Sequence, residues 1–127
     1  MEEIDMCFVL RSETGRYEEN GNVFWKKNGV EHREDGPAIE WAYGSKQWWK
    51  DGIQHRLDGP AVEWADGTKE WYVKGKRHRL DGPAIEWPDG DKEWWVNGES
   101  INVIEIFGYE PALPLTAEEQ TLLILSA

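Results

Sequence analysis

The sequence predicts a mainly β protein in which stacked β-hairpin repeats form one elongated, twisted antiparallel sheet, closed by a short C-terminal α-helix. Three observations predict it. A link of nearly constant wording recurs every 23 residues: His32-Arg33-Glu34-Asp35-Gly36-Pro37-Ala38-Ile39-Glu40-Trp41, then His55-Arg56-Leu57-Asp58-Gly59-Pro60-Ala61-Val62-Glu63-Trp64, then His78-Arg79-Leu80-Asp81-Gly82-Pro83-Ala84-Ile85-Glu86-Trp87. The other half of the unit recurs with it, as Gly44-Ser45-Lys46-Gln47-Trp48-Trp49, Gly67-Thr68-Lys69-Glu70-Trp71-Tyr72 and Gly90-Asp91-Lys92-Glu93-Trp94-Trp95. The segments between the glycines are short and rich in aromatic and β-branched residues, the pattern of strands joined by tight turns. A fixed period of this size marks a repeat architecture, and such sheets mostly present surfaces, whereas catalysis needs one unique constellation.

The 127 residues suffice for one domain. Residues 1–20 form an N-terminal cap, 21–98 hold four hairpin repeats, and 99–127 form a C-terminal cap of strand and helix. In the first cap, Ile4 to Arg11 reads as a strand and Thr14-Gly15 as a turn. Hairpin turns fall at Gly21, Gly44, Gly67 and Gly90. Asp66-Gly67 has the chemistry of a type I′ turn, in which both residues take positive φ. Residues 61–65 read as the outgoing strand and 68–73 as the return strand, with Lys74-Gly75 making the next turn. Asp-Gly-Pro in each link is also turn chemistry: Asp bonds nearby backbone, Gly frees φ and Pro cannot join a ladder. The first and last units are atypical, as end units must be to close an exposed sheet edge. Past Asn97-Gly98 the pattern breaks, and Glu99-Ser100-Ile101-Asn102 brings no fourth His-Arg-x-Asp. Residues 101–107 alternate and read as a final strand. Beyond Pro111 and Pro114, Thr116 and Glu119 fit a capping box, which starts a helix from Ala117 to Leu125. Its clustered apolar residues dock it on the sheet.

With Asp66-Gly67 as a two-residue loop, Glu63 faces Glu70 and Val62 faces Trp71. One face then carries Val62, Trp64, Lys69, Trp71 and Val73, and the other Ala61, Glu63, Ala65, Glu70 and Tyr72. The first is the better core face, with Ile39, Val62 and Ile85 beside Trp41, Trp64 and Trp87. That register opposes Glu63 to Glu70 and Glu86 to Glu93, which is destabilising. Either lysines of the next hairpin intervene, or the loop is longer by one residue and the faces of the return strand exchange.

The formal net charge of -11 is unevenly placed. Residues 1–20 carry 6 acids and 2 bases, residues 21–98 carry 14 acids and 12 bases, and residues 99–127 carry 5 acids and no base. The repeat body is thus nearly neutral and the ends are acidic. Binding of duplex nucleic acid by a basic face is excluded, since it needs a net positive surface to release counterions. The single cysteine, Cys7, allows no intrachain disulfide, which fits a reducing, cytoplasmic setting. The N-terminus has no signal-peptide pattern, and the apolar run from Leu122 to Leu125 is far too short to span a membrane.

The segment Asp66-Gly67-Thr68-Lys69-Glu70-Trp71-Tyr72-Val73-Lys74-Gly75-Lys76-Arg77-His78 resembles a MORN-type repeat. The fuller His-Arg-x-Asp-Gly-Pro-Ala-x-Glu-Trp form is similar to a MORN-like variant in proteins of bacteriophages and large DNA viruses. The resemblance covers residues 21–98 and implies an elongated sheet of hairpins that scaffolds, contacts membranes or binds partners. Asp-Gly-Pro-Ala stands where that family usually has Gly-x-Gly, a departure that argues against lipid binding.

No phosphate loop, zinc spacing or nucleophile with its base is present, so the expectation is a non-enzyme without cofactor or metal. The candidate partner-binding residues are the aromatic strip Trp49, Tyr72 and Trp95 and the link arginines Arg33, Arg56 and Arg79. Trp and Tyr dominate binding hot spots. The competing reading of the arginines is structural, with Arg33, Arg56 and Arg79 pairing Asp35, Asp58 and Asp81. The histidines His32, His55 and His78 repeat too far apart to share one metal. The leading expectation is an intracellular protein-binding module, a phage-encoded inhibitor of a host defence or toxin protein. A nucleotide-sequestering protein, with Arg and Trp stacking on a base, and a self-assembling scaffold or homodimer are the alternatives.

Overall fold

The computed structural model describes residues 14–126. The strand expected at Ile4 to Arg11, with Cys7, lies outside them. Among the described residues fourteen short strands run in chain order, beginning with β1 (Gly15–Glu19), β2 (Asn22–Lys27), β3 (Val30–Glu31), β4 (Ile39–Glu40) and β5 (Lys46–Gln47). They continue with β6 (Trp49–Lys50), β7 (Ile53–Gln54), β8 (Val62–Glu63), β9 (Lys69–Glu70), β10 (Tyr72–Val73), β11 (Lys76–Arg77), β12 (Ile85–Glu86), β13 (Lys92–Val96) and β14 (Glu99–Ile101). Two helices follow, α1 (Val103–Phe107) and α2 (Ala117–Ser126). All strand pairs are antiparallel, in one ten-stranded sheet and two two-stranded ones, β6–β7 and β10–β11. Thr14-Gly15 is not a turn: Gly15 opens β1, opposite Lys26.

The expected turn glycines all turn, by two different devices. At Asn20-Gly21, Asn28-Gly29, Asp51-Gly52, Lys74-Gly75 and Asn97-Gly98 both residues have positive φ, as a type I′ turn demands. At Asp66-Gly67 only the glycine does, with φ 99°. There Trp64 C=O accepts from Gly67 N–H at 2.9 Å and Trp64 N–H donates to Thr68 C=O at 2.9 Å, so the loop has three residues, not two. Gly44 and Gly90 close the same loop against Trp41 and Trp87. Asp66 and Asp89 stabilise theirs by accepting the N–H two residues on.

The extra loop residue shifts the register. Glu63 pairs with Lys69 and Val62 with Glu70; Glu86 pairs with Lys69 and Lys92. The feared Glu–Glu opposition is thereby replaced by a row of alternating sign, Glu40, Lys46, Glu63, Lys69, Glu86 and Lys92, crossing the strands. Directly paired residues share a face, so the return strand is turned over from the two-residue expectation. One face carries Val62, Trp64, Glu70 and Tyr72, and the other carries Glu63, Lys69 and Trp71.

The hairpins stack through backbone bonds that repeat with the sequence. Gly52, Gly75 and Gly98 donate to the carbonyls of Glu31, Gln54 and Arg77, and Arg33, Arg56 and Arg79 donate to those of Trp49, Tyr72 and Trp95.

The final strand is shorter than its alternation suggests. It ends at Ile101, and residues 103–107 are helical. Asn102 caps α1, its side-chain oxygen accepting from Ile104 N at 3.1 Å and Glu105 N at 3.2 Å, and Gly108 ends it with φ 80°. A cap able to satisfy two orphan N–H groups outcompetes a ladder that has no further strand to join. The helix α2 begins as its capping box requires: Glu119 N–H donates to Thr116 Oγ1 at 3.1 Å, and Thr116 N–H to Glu119 Oε1 at 3.0 Å. It docks on the sheet through Leu123, which is fully buried in a cluster with Trp94, Val96, Val103 and Leu115. No helix among the described residues is long and apolar enough to cross a membrane.

Candidate protein-binding site

Each link loop is built around its arginine. Arg56 lays its guanidinium 3.9 Å from the ring centre of Trp48, donates from Nε to Asp58 at 3.0 Å and from Nη1 to Pro60 C=O at 3.0 Å, and pairs with Glu63 at 3.2 Å. Arg79 does the same with Trp71, Asp81, Pro83 and Glu86, and Arg33 with Trp25, Asp35, Pro37 and Glu40. The loop glycine exists for this contact rather than for its φ. A Cβ on Gly82 would lie 2.7 Å from Arg79 Cζ, and on Gly59 2.9 Å from Arg56 Cζ. The arginine's hydrogen bond also holds the Asp58 carboxyl below its ordinary range. The arginine side chains are only about a fifth exposed, and the faces of Trp25, Trp48 and Trp71 are already covered. The arginine–aspartate pairs weighed from sequence are therefore present, in a clasp of four contacts.

The histidines serve the stack. Nδ1 of His32, His55 and His78 accepts the backbone N–H of Asp51, Lys74 and Asn97 at 2.9, 3.0 and 3.0 Å. Each acceptor thus fixes the first residue of the next type I′ turn. This requires the imidazole to keep Nδ1 unprotonated, and burial pushes the His78 pKa down. No group of three or more His, Cys, Asp or Glu among the described residues is arranged to hold a metal ion.

The aromatic strip lies on the face opposite the arginines. Trp49 and Trp95 donate their indole N–H to Gln47 and Glu93, each at 2.9 Å, and the Tyr72 hydroxyl donates to Glu70 at 3.0 Å. Trp64 reaches the other Glu70 oxygen at 2.6 Å. The strip is half-buried, and so are Trp41 and Trp87 on the far side of the buried Ile39, Val62 and Ile85. Tyr17, Phe24, Trp41 and Tyr43 continue the face as a chain of stacked and edge-on rings 5.6–6.2 Å apart. Burial and the Glu70 carboxylate push the Tyr72 pKa up, so it stays a donor.

Arg77 was not singled out from sequence, yet it is central here. It sits 5.8 Å from the Tyr72 ring centre and 5.1 Å from that of Trp95, and pairs with Glu70 at 3.4 Å. The signal was available as a break in the repeat: Gln54, Arg77 and Ser100 occupy one repeat position.

The structure thus divides the sequence candidates between two faces. Arg33, Arg56 and Arg79 are bound into the links, whereas Trp49, Tyr72 and Trp95 belong to a broad aromatic face with a central row of amide and carboxylate groups. Fold and site together define a stacked β-hairpin protein with a two-sided sheet. In sequence the chain matches no protein-family model and none of the curated proteins.

Proposed function

We propose that this protein is a non-enzymatic, cytoplasmic protein-binding module of the MORN-like type, and that Trp49, Tyr72 and Trp95 on the aromatic face are its contact residues. The observation that carries the reading is the asymmetry of the two faces. The link loops and the C-terminal cap lie over one side of the sheet. The other side keeps half-buried rings that interleave with hydrogen-bonding groups, the composition of a binding hot spot. The arginines take the role of holding the links. Inhibition of a host defence or toxin protein by a phage-encoded factor is the finer reading, and it rests on the sequence resemblance. Affinity capture with the wild-type chain and with Trp49→Ala, Tyr72→Ala and Trp95→Ala tests the module. A specific partner should be lost by the aromatic variants and kept by Arg56→Met. Equal capture by every variant, with folding verified by circular dichroism, would refute the assignment of the face.

A further inference from the structure

We infer that Glu93, with the ring of Trp95 beside it, is a receptor for an arginine side chain of a partner protein. The inference rests on the protein-binding reading above and names what one end of that face would take.

The argument comes from three copies of one local arrangement. At each copy an acceptor on one strand precedes, by two residues, an aromatic ring that donates to it: Gln47 with Trp49, Glu70 with Tyr72, Glu93 with Trp95. A third position stands directly across the hairpin from the ring: Gln54 opposite Trp49, Arg77 opposite Tyr72, Ser100 opposite Trp95. In the first copy a neutral amide faces a neutral amide. In the second a carboxylate faces an arginine, which pairs with it at 3.4 Å and lies over the ring. In the third the carboxylate remains but serine stands across the hairpin, and the guanidinium over Trp95 is that of Arg77 from the preceding unit, 5.1 Å from the ring centre and paired with Glu70 rather than with Glu93. Among the described residues no basic side chain forms an ion pair with Glu93, and its neighbour Lys92 points to the opposite face, in register with Glu86.

The second copy therefore shows what the third is shaped for. A guanidinium on the Ser100 side would meet a carboxylate already oriented by the Trp95 N–H at 2.9 Å, and an indole in place of the Tyr72 ring, whose other side Arg77 already shares with Tyr72. Indole is the better cation–π surface of the two. A guanidinium suits the place better than an ammonium, because its planar fork stacks and hydrogen-bonds at once. The charges nearby favour a cation as well: an adjoining depression, lined by Trp87, Asp89, Asp91, Lys92 and Glu93 but not by Trp95, holds three acids to one base, and residues 99–127 carry 5 acids and no base. The site lies near the end of the sheet, since Ser100 belongs to β14, the last strand on its path.

The test uses the full chain, labelled with nitrogen-15, and a short capped Gly-Arg-Gly peptide as probe. Its citrulline counterpart, the same shape without charge, is the control. The Trp95 indole resonance should shift saturably with the arginine peptide and at least tenfold more weakly with citrulline. Glu93→Gln should abolish the shift. Ser100→Arg, which supplies the guanidinium from within as Arg77 does, should also abolish it while raising the melting temperature. Unaltered binding to Ser100→Arg, equal shifts with citrulline, or no shift at Trp95 would each overturn the inference. In any of those cases, loss of a captured partner by Trp49→Ala or Tyr72→Ala would still leave the protein-binding reading standing.

Discussion

Trp71 and Trp94 hold the same repeat position, and the molecule covers them in opposite ways. Over Trp71 lies Arg79, tied to an aspartate, a glutamate and a carbonyl. Over Trp94, which is 5% exposed, lies an apolar cluster of Val103, Leu115 and Leu123. The change is traceable to one residue. Position 102 should be the fourth link arginine, and Asn stands there. Asn102 caps a helix instead of clasping a ring, and that helix delivers Val103 to the cluster. A chain of thin hairpins has no layer to bury its tryptophans, so it uses guanidinium lids along its length. Among the described residues it builds an ordinary hydrophobic core only past the last hairpin, where no further unit has to be stacked.

The comparison can be broken first at the core. Leu123→Ala should destabilise by about 2–5 kcal/mol, the usual cost of emptying a buried leucine site, read as a lowered urea midpoint. Next comes a lid. Arg56→Ala removes a partly desolvated cation–π contact and strands Glu63 and the Pro60 carbonyl, for about 2–3 kcal/mol by the same measurement. Arg56→Lys should recover little, because a lysine cannot stack and fork together. Gly82→Ala should cost about 1–3 kcal/mol by forcing Arg79 off Trp71, with a change in indole fluorescence. Thr116→Ala removes one member of the capping box and should cost about 1 kcal/mol, visible as lost helical ellipticity. The smallest effect sharpens the repeat side. The folded-state pKa of His78 lies below its unfolded value, so the unfolded chain binds the extra proton. Stability is then complete above the unfolded pKa of about 6.5 and falls as pH drops below it, a slope that melting curves between pH 7 and 5 should show. His78→Ala should remove that slope.

Much of this was legible in the chain. The 23-residue period, the turn glycines and the Thr116–Glu119 capping box translate directly into hairpins and helix, because each depends on local chemistry. The register did not follow from Asp66-Gly67, since Asp-Gly serves both a two-residue loop and a three-residue loop with a terminal glycine. The charge pattern held the answer: only the longer loop sets Glu63 against Lys69. The strand expected over 101–107 failed because alternation and a short helical stripe coincide over so few residues, and Asn102 decided between them. At the site, the aromatic strip was readable by period alone. Arg77 was hidden because its importance lies in a difference between repeats rather than in what they share.

The histidine bonds and the glycine-turn bonds each join a unit only to the one after it. Mechanical load has nowhere to spread in such a molecule. Drawn out by its N-terminal end, with the C-terminal core as anchor, the protein should yield as a staircase rather than in one rupture. Each step releases one 23-residue unit, roughly 80 Å of extended chain.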